Sequence, residues 1–391
     1  MRKIFVLFFV GILIGITISI FLFPEKISKN ENRVLSSFPN LIEKGTINDQ
    51  IGPQIETYLK DHFPARASLI RAQFQTMYKM NGRVENEKAF VGKDGHLFMK
   101  WGSIQYNTIK EQRKVISHTA KMLQNFNNRF QNKNVHIYVA IMPDKGSALP
   151  DFYKQIYKPA NRLDFAKELA QQIPQKNIHV INLNEPMKNQ PELFYAAGTH
   201  INERGLLSTA QYIYDKIQKD QFPDFHEEIT TKSFTKKADN ANHNYIGLVL
   251  GIVERHPIIE QAFAPVFSTR RAQHIESKKY KQFGLLEGWG DGTSNYYTKY
   301  KSLNPVINQS FFGFGICYGH QILQFFSPVY KESSYVFFNN RGAGKQSDDI
   351  LRAQIKKSLR EIKDNDTILI VVNPVTVKED LQALSDEFLS Q

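Results

Sequence analysis

The stretch Leu193–Gly205, L-F-Y-A-A-G-T-H-I-N-E-R-G, lies between an extended run and an amphipathic helix, with His200 near its centre. In an open α/β sheet, the loop from a strand end to a helix start is where ligand chemistry is usually placed. Imidazole is also the side chain that exchanges a proton most readily near neutral pH. A histidine in a loop can equally be an ordinary surface group, so its reading depends on the elements around it.

Upstream, Val135–Met142, V-H-I-Y-V-A-I-M, is a nearly continuous apolar run that stops at Pro143-Asp144 and reads as a strand buried on both faces. Leu163–Gln172 reads as a helix and Ile178–Leu183 as a second short buried strand. Gly205–Gln218 places Leu206, Leu207, Ala210, Ile213 and Ile217 on one side of a helix. The rhythm resumes after Gln309, with apolar strands at Phe311–Gly315, Ser334–Phe338 and Thr367–Val372, a helix following Ile316 and another over Asp348–Ile362. Strands alternating with helices predict an α/β fold, its parallel sheet contributed by two separated halves of the chain and flanked by helices.

Before the first half, Val91–Trp101 predicts a β-hairpin turning at Asp94-Gly95, and Thr108–Phe130 a long amphipathic helix. Ile51–Met80 has helical spacing interrupted at Pro64; inside it, Asp61, His62 and Arg66 read as a salt-bridged helix surface. Ile4–Phe23 runs for 20 residues without a charge, after Arg2 and Lys3 and up to Pro24. At about 1.5 Å per residue this spans a bilayer core of about 30 Å. The residues before Pro24 are Ile20, Phe21, Leu22 and Phe23, not a small-x-small cleavage site, which predicts an uncleaved transmembrane helix. The basic N-terminus should stay in the cytoplasm, leaving the globular part on the periplasmic or extracellular side of a bacterial cytoplasmic membrane. The expected organisation is an anchor at 1–24, a tether and helical lead-in at 25–90, half of the α/β domain at 91–221, an insert at 222–308 and the other half at 309–391.

Cys317 is the sole cysteine of the 391 residues, so no intramolecular disulfide forms. A net charge of +12 suits nucleic acid, an anionic membrane surface or an acidic polymer, and the anchor together with the lack of an RNA-binding motif argues against nucleic acid. The insert reads as irregular, aromatic and basic. Arg270, Arg271, Lys278, Lys279 and Lys281, followed by Tyr296, Tyr297 and Tyr300, can line a groove for an anionic sugar chain or simply decorate a solvated loop. Arg341 follows a strand end and can face the same cleft as His200, whereas Gly342–Lys345 lacks the Walker spacing and reads as a loop. His243, His256 and His274 have no metal-site spacing, so neither metal nor cofactor is expected.

Six segments in order resemble the alginate O-acetyltransferase family of SGNH-hydrolase-like envelope proteins and the related DHHW proteins. They are E-N-R-V-L-S-S-F-P (Glu31–Pro39), D-H-F-P-A-R (Asp61–Arg66), V-G-K-D-G-H-L-F (Val91–Phe98), M-P-D-K (Met142–Lys145), F-Y-A-A-G-T-H-I-N-E-R-G (Phe194–Gly205) and F-G-F-G-I-C-Y-G (Phe312–Gly319). The resemblance covers nearly the whole chain after the anchor and implies an SGNH-hydrolase-like, flavodoxin-like fold. It also implies acyl transfer: a serine attacks an acetyl donor, a histidine takes its proton, an aspartate two residues before the histidine orients it, and a sugar hydroxyl receives the acetyl group. It further implies a polysaccharide substrate, acidic by the charge of the insert, and inner-membrane acetyl-transfer or export partners.

This sequence departs from the pattern twice. Gly198 stands where the aspartate belongs, and Cys317, preceded by Ile316, stands where the serine belongs. Two readings follow. In one, Cys317 is a thiolate nucleophile paired with His200, with Asp144 as a candidate carboxylate. In the other, the site has weak or no catalysis, the domain binds polysaccharide or scaffolds partners, and Cys317 is a small buried residue at a strand–helix turn. Asn202, Arg341, Arg270, Arg271, Lys278 and Tyr296 are the candidate substrate contacts in both.

Overall fold

The computed structural model describes residues 2–22, 26–28, 33–43, 45–82, 84–86, 89–100, 108–153, 163–225, 229–238, 258–267, 270–281, 293–316, 319–338, 345–374, 377 and 381. Its centre is one mixed sheet. β7 (His136–Ile141) and β8 (Ile178–Asn182) come from the first half of the chain, and β13 (Ile307–Gly315), β14 (Tyr330–Phe337) and β15 (Thr367–Val372) from the second. The order across the sheet is β14-β13-β15-β7-β8, all parallel. Taking β13 as the first strand turns this into the flavodoxin-like order 2-1-3-4-5, which the chain enters at its fourth strand.

Alternate residues of these strands face opposite layers, as the two-residue period of a strand requires. Ile137, Val139, Ile141, Phe312, Phe314, Ile368, Ile370 and Val372 pack with α4 (Ile109–Asn128), α6 (Phe165–Gln172) and α10 (Lys345–Glu361). Tyr138, Ala140, Phe311, Tyr335, Leu369 and Val371 pack with α8 (Glu203–Gln221) and α9 (Gly319–Phe326). Covering a sheet on both faces explains why its strands read as apolar runs without alternation. The long helix α4 starts where its capping box dictates: the Thr108 hydroxyl accepts from the Glu111 amide, and the Glu111 carboxylate accepts from the Thr108 amide.

The segment expected to be irregular holds long strands among its described residues. Within 222–308, β9 (Ile229–Ala238) and β10 (Ile258–Phe267) pair as a separate antiparallel ribbon, and β11 (Ala272–Lys281) and β12 (Thr293–Ser302) extend the central sheet, β12 running antiparallel to β14. The tyrosines of β12 are sheet residues, Tyr297 being fully buried. Local reading missed them because polar residues dominate there, the adjacent Tyr296 and Tyr297 break strict alternation, and the β11–β12 ladder is broken by two register shifts.

The helix α1 (Arg2–Leu22) is followed by the lead-in, whose described residues form two short antiparallel ladders, β1 (Ile27–Ser28) with β2 (Arg33–Val34) and β3 (Ile42–Glu43) with β4 (Thr46–Ile47), then α2 (Ile51–Asp61) and α3 (Arg66–Asn81). The apolar helix Lys3–Leu22 is long enough to cross a membrane. Asp61 is not the surface group expected: it is buried, and its carboxylate accepts from the Ser36 amide at 2.9 Å and hydroxyl at 3.0 Å. The hairpin predicted around Asp94-Gly95 forms, with β5 (Ala89–Val91) paired to β6 (Leu97–Met99) and both turn residues at positive φ.

Candidate functional site

The carboxyl ends of β7, β8, β13 and β15 bring the candidate segments to one edge of the sheet. In the order 2-1-3-4-5, the crevice lies where connections diverge, between β13 and β15. There Gly315 has φ +143, a left-handed value, and a Cβ on it would collide with the Val371 carbonyl; glycine alone lets β13 lie this close to β15 at its exit. The Ile316 amide then donates to Val371 O at 3.1 Å, and the Tyr335 hydroxyl donates to Ile316 O at 2.8 Å. Cys317 follows directly and lies outside the described residues, as does Arg341.

The His200 loop follows the last parallel strand, β8, through α7 (Asn184–Met187). It is a miniature hairpin: Phe194 and Ile201 form an antiparallel bridge, the Tyr195 amide donates to His200 O at 3.2 Å, and the Asn202 amide donates to Leu193 O at 2.9 Å. The Asn202 side chain caps α8, accepting from the Gly205 amide at 3.0 Å, and donates to Glu192 O at 2.7 Å. The structure therefore gives Asn202 the work of fixing the helix entry. Such a cap stabilises the first turn of α8. His200 is half-buried, and its Nδ1 lies 3.1 Å from the Thr199 hydroxyl. When Nδ1 carries the proton, Thr199 accepts it and Nε2 is left as the basic nitrogen. When Nδ1 is bare, the same hydroxyl donates to it instead, so Thr199 holds the ring's orientation in either tautomer but brings no charge to stabilise an imidazolium.

Lys145, in the M-P-D-K segment, ties the segments of the candidate site together. It is 5% exposed, and its ammonium sits among four main-chain carbonyls: Leu97 at 3.0 Å, Tyr195 and Ala196 at 2.8 Å each, and Gly198 at 3.1 Å. The Phe98 ring lies 5.1 Å away. One side chain therefore ties the end of β7 to β6 and to the turn that carries His200. Burial pushes its pKa down to about 7, while the four carbonyl dipoles favour the charged form. Nearby His96 is also lowered, first by burial and then by the Lys145 charge. The signal in the sequence was a lysine set between the end of a buried strand and a small apolar run, a place where a solvated lysine has no room.

Asp144, expected as a carboxylate for His200, caps the short helix α5 (Lys145–Ala148), accepting from the Gly146 amide at 3.0 Å, the Ser147 amide at 3.2 Å and the Ser147 hydroxyl. The basic residues of the insert divide in two. Arg270 stacks its guanidinium 5.0 Å from the Phe225 ring and donates to Asn304 O at 2.7 Å, so it braces the chain; Arg271 is exposed beside it. Both precede β11, whose Ala272 is paired with Ser302 toward the amino end of β14 and so away from the His200 edge. Lys278 pairs with Tyr297, and Tyr296 adjoins it on β12, nearer the carboxyl end of β14. Five strand spacings separate β11 from β7, roughly 24 Å at about 4.8 Å each. A single sugar does not bridge that distance; an extended polymer does.

A family model described as the SGNH hydrolase-like domain of acetyltransferase AlgX matches residues 89–287, just over half of the chain. Among solved structures, Bacillus cereus PatB1 is 14% identical and covers 75% of this chain and 96% of its own, with a TM-score of 0.49. A DHHW family protein from Eubacterium siraeum is 13% identical over 78% of this chain and 97% of its own, with a TM-score of 0.48. The O-acetyltransferase domain of Pseudomonas putida AlgJ is 13% identical over 78% and 99%, with a TM-score of 0.45. Nothing among curated protein sequences matches the chain. By the span of the family match, on a sheet of permuted flavodoxin-like order, the chain belongs to the family of AlgX-type SGNH hydrolase-like acetyltransferase domains.

Proposed function

We propose that this protein is held in a bacterial cytoplasmic membrane by α1, with its globular part on the periplasmic or extracellular side. There it serves the O-acetylation or export of a surface polysaccharide with weak or no catalysis of its own. The observation that carries this is position 198: a glycine offers no carboxylate to His200, and its carbonyl is taken up by Lys145. Loss of the orienting aspartate costs a serine protease on the order of ten thousand-fold. The positive net charge favours an acidic polysaccharide, and an anchored protein of this kind would work beside inner-membrane acetyl-transfer or export partners.

Asp144 and Arg341 remain candidates for the site, the first as a carboxylate and the second as an anion contact. A second reading is favoured by one specific feature, the strand exit at Gly315–Ile316 in the sheet's crevice immediately before Cys317. In it, Cys317 and His200 form a dyad, with Thr199 fixing the ring. Acetyl release from p-nitrophenyl acetate by the full chain, beside Cys317→Ala and His200→Ala, separates the two. Background rates in all three support the non-catalytic reading; release by the wild type that both substitutions abolish overturns it.

A further inference from the structure

We infer that the lead-in segment is seated on the lipid surface, with Leu41, Ile42 and Ile47 inserted into the outer leaflet beside α1. The inference rests on the reading of α1 as a membrane span. The outer end of that helix is built onto the lead-in. The Tyr58 hydroxyl donates to Ile20 O at 3.4 Å, Phe21 lies 5.8 Å from Phe38 and 6.1 Å from Tyr58, and Phe38 meets Tyr58 edge-on at 5.2 Å. Ile20 is buried by these contacts. The loop at 36–38 and helix α2 therefore lie level with the last turn of the span, at the depth of the headgroups, where aromatic side chains commonly sit.

The β3–β4 hairpin has little freedom to leave that depth. Asp61 holds the Ser36 amide and hydroxyl, and the His62 Nε2–H donates to Ser36 O at 2.8 Å, so the chain entering the hairpin is fixed to α2. Asn48, just after it, donates to Asn40 O at 3.0 Å and to Gln54 Oε1 at 2.8 Å. Between these two clamps, Ile42 and Ile47 face each other across the ladder. They are 67% and 85% exposed, and the preceding Leu41 is 66% exposed. Exposed aliphatic side chains grouped on one short hairpin suit a contact surface. Phe21 and Leu22 at the end of α1 are themselves more than half exposed, as lipid-facing residues are. The hairpin hangs from residues tied to the outer end of that span, so the bilayer is its occupant, in the manner of an interfacial element with its apolar side down. The contact would set how the domain, and with it the His200 edge, faces away from the membrane.

The test uses the full chain carrying Cys317→Ala, one copy per phosphatidylcholine nanodisc, with an environment-sensitive nitrobenzoxadiazole label at Ile47→Cys, Ile14→Cys or exposed Gln131→Cys. Nitroxide-bearing lipids are the quencher. Position 47 should be quenched about half as strongly as position 14 or more, and clearly more than position 131. Leu41→Cys repeats the measurement outside the strand ladder, should a label at 47 disturb the fold. Quenching at 14 but at neither 41 nor 47 overturns the seating while the span stands, and equal quenching at 47 and 131 overturns it as general adsorption. No quenching at 14 defeats the span itself.

Discussion

Replacing Lys145 by methionine tests the claim that this side chain holds the candidate site together. Methionine keeps the length and approximate volume of the lysine, so no cavity opens. What is lost is the donor shared by four carbonyls, those of Leu97, Tyr195, Ala196 and Gly198. The Tyr195 and Ala196 carbonyls keep the Gly198 and Leu97 amides as partners, so at about 2 kcal/mol for each of the two acceptors left dry and about 1 kcal/mol for each of the two that keep an amide, the gross loss is about 6 kcal/mol. The opposing effect is relief of desolvation. A lysine pKa pushed from 10.5 to about 7 corresponds to about 5 kcal/mol, at about 1.4 kcal/mol per pH unit. The expected net loss is therefore about 1 kcal/mol, a measurable fraction of the stability of a typical domain. Guanidinium unfolding in detergent, followed by near-ultraviolet circular dichroism, measures it. Amide hydrogen exchange across 195–200 should accelerate in the same variant, since those residues lose their tie to β7. An unchanged or raised midpoint with unaltered exchange at 195–200 would refute the reasoning and place Lys145 among the buried ions that an apolar residue can replace without loss.

Three further outcomes are expected. Because the folded-state pKa of Lys145 is depressed, the unfolded chain binds more protons between about pH 7 and pH 10. Wild-type stability should then rise with pH across that window by up to about 1.4 kcal/mol per unit more steeply than that of Lys145→Met; parallel curves would count against the depressed value. Gly315→Ala forces a Cβ into the Val371 carbonyl at a left-handed φ, and should cost about 3 kcal/mol or more in unfolding experiments, whereas the mid-strand exchange pattern of a fully native protein would contradict the close approach. Thr108→Ala removes one half of the capping box and should destabilise by about 1 kcal/mol, readable as a shift in the thermal midpoint with a faster-exchanging first turn of α4.

The sequence by itself determined the elements whose cause is local. Buried strands showed as apolar runs, the β5–β6 hairpin as Asp94-Gly95, helix α4 as a capped amphipathic stretch, and the span as 20 uncharged residues. The six segments in order were enough to indicate the fold and its permuted arrangement of candidate residues. Tertiary structure alone decided which structural partners the polar side chains take. Asp144 caps α5, Asn202 caps α8, Arg270 braces Asn304 and Phe225, and Asp61 reaches back to Ser36. It also decided that β11 and β12 join the sheet, and that a lysine after β7 gathers carbonyls from residues about 50 positions away on both sides. Such contacts leave no periodicity in the chain, because a side chain meeting a distant carbonyl asks nothing of the type of residue that supplies it. The same reason hides the role of Gly198: with no side chain, it acts only through a carbonyl oxygen that every residue has, and its place became visible only when the fold brought Lys145 to it.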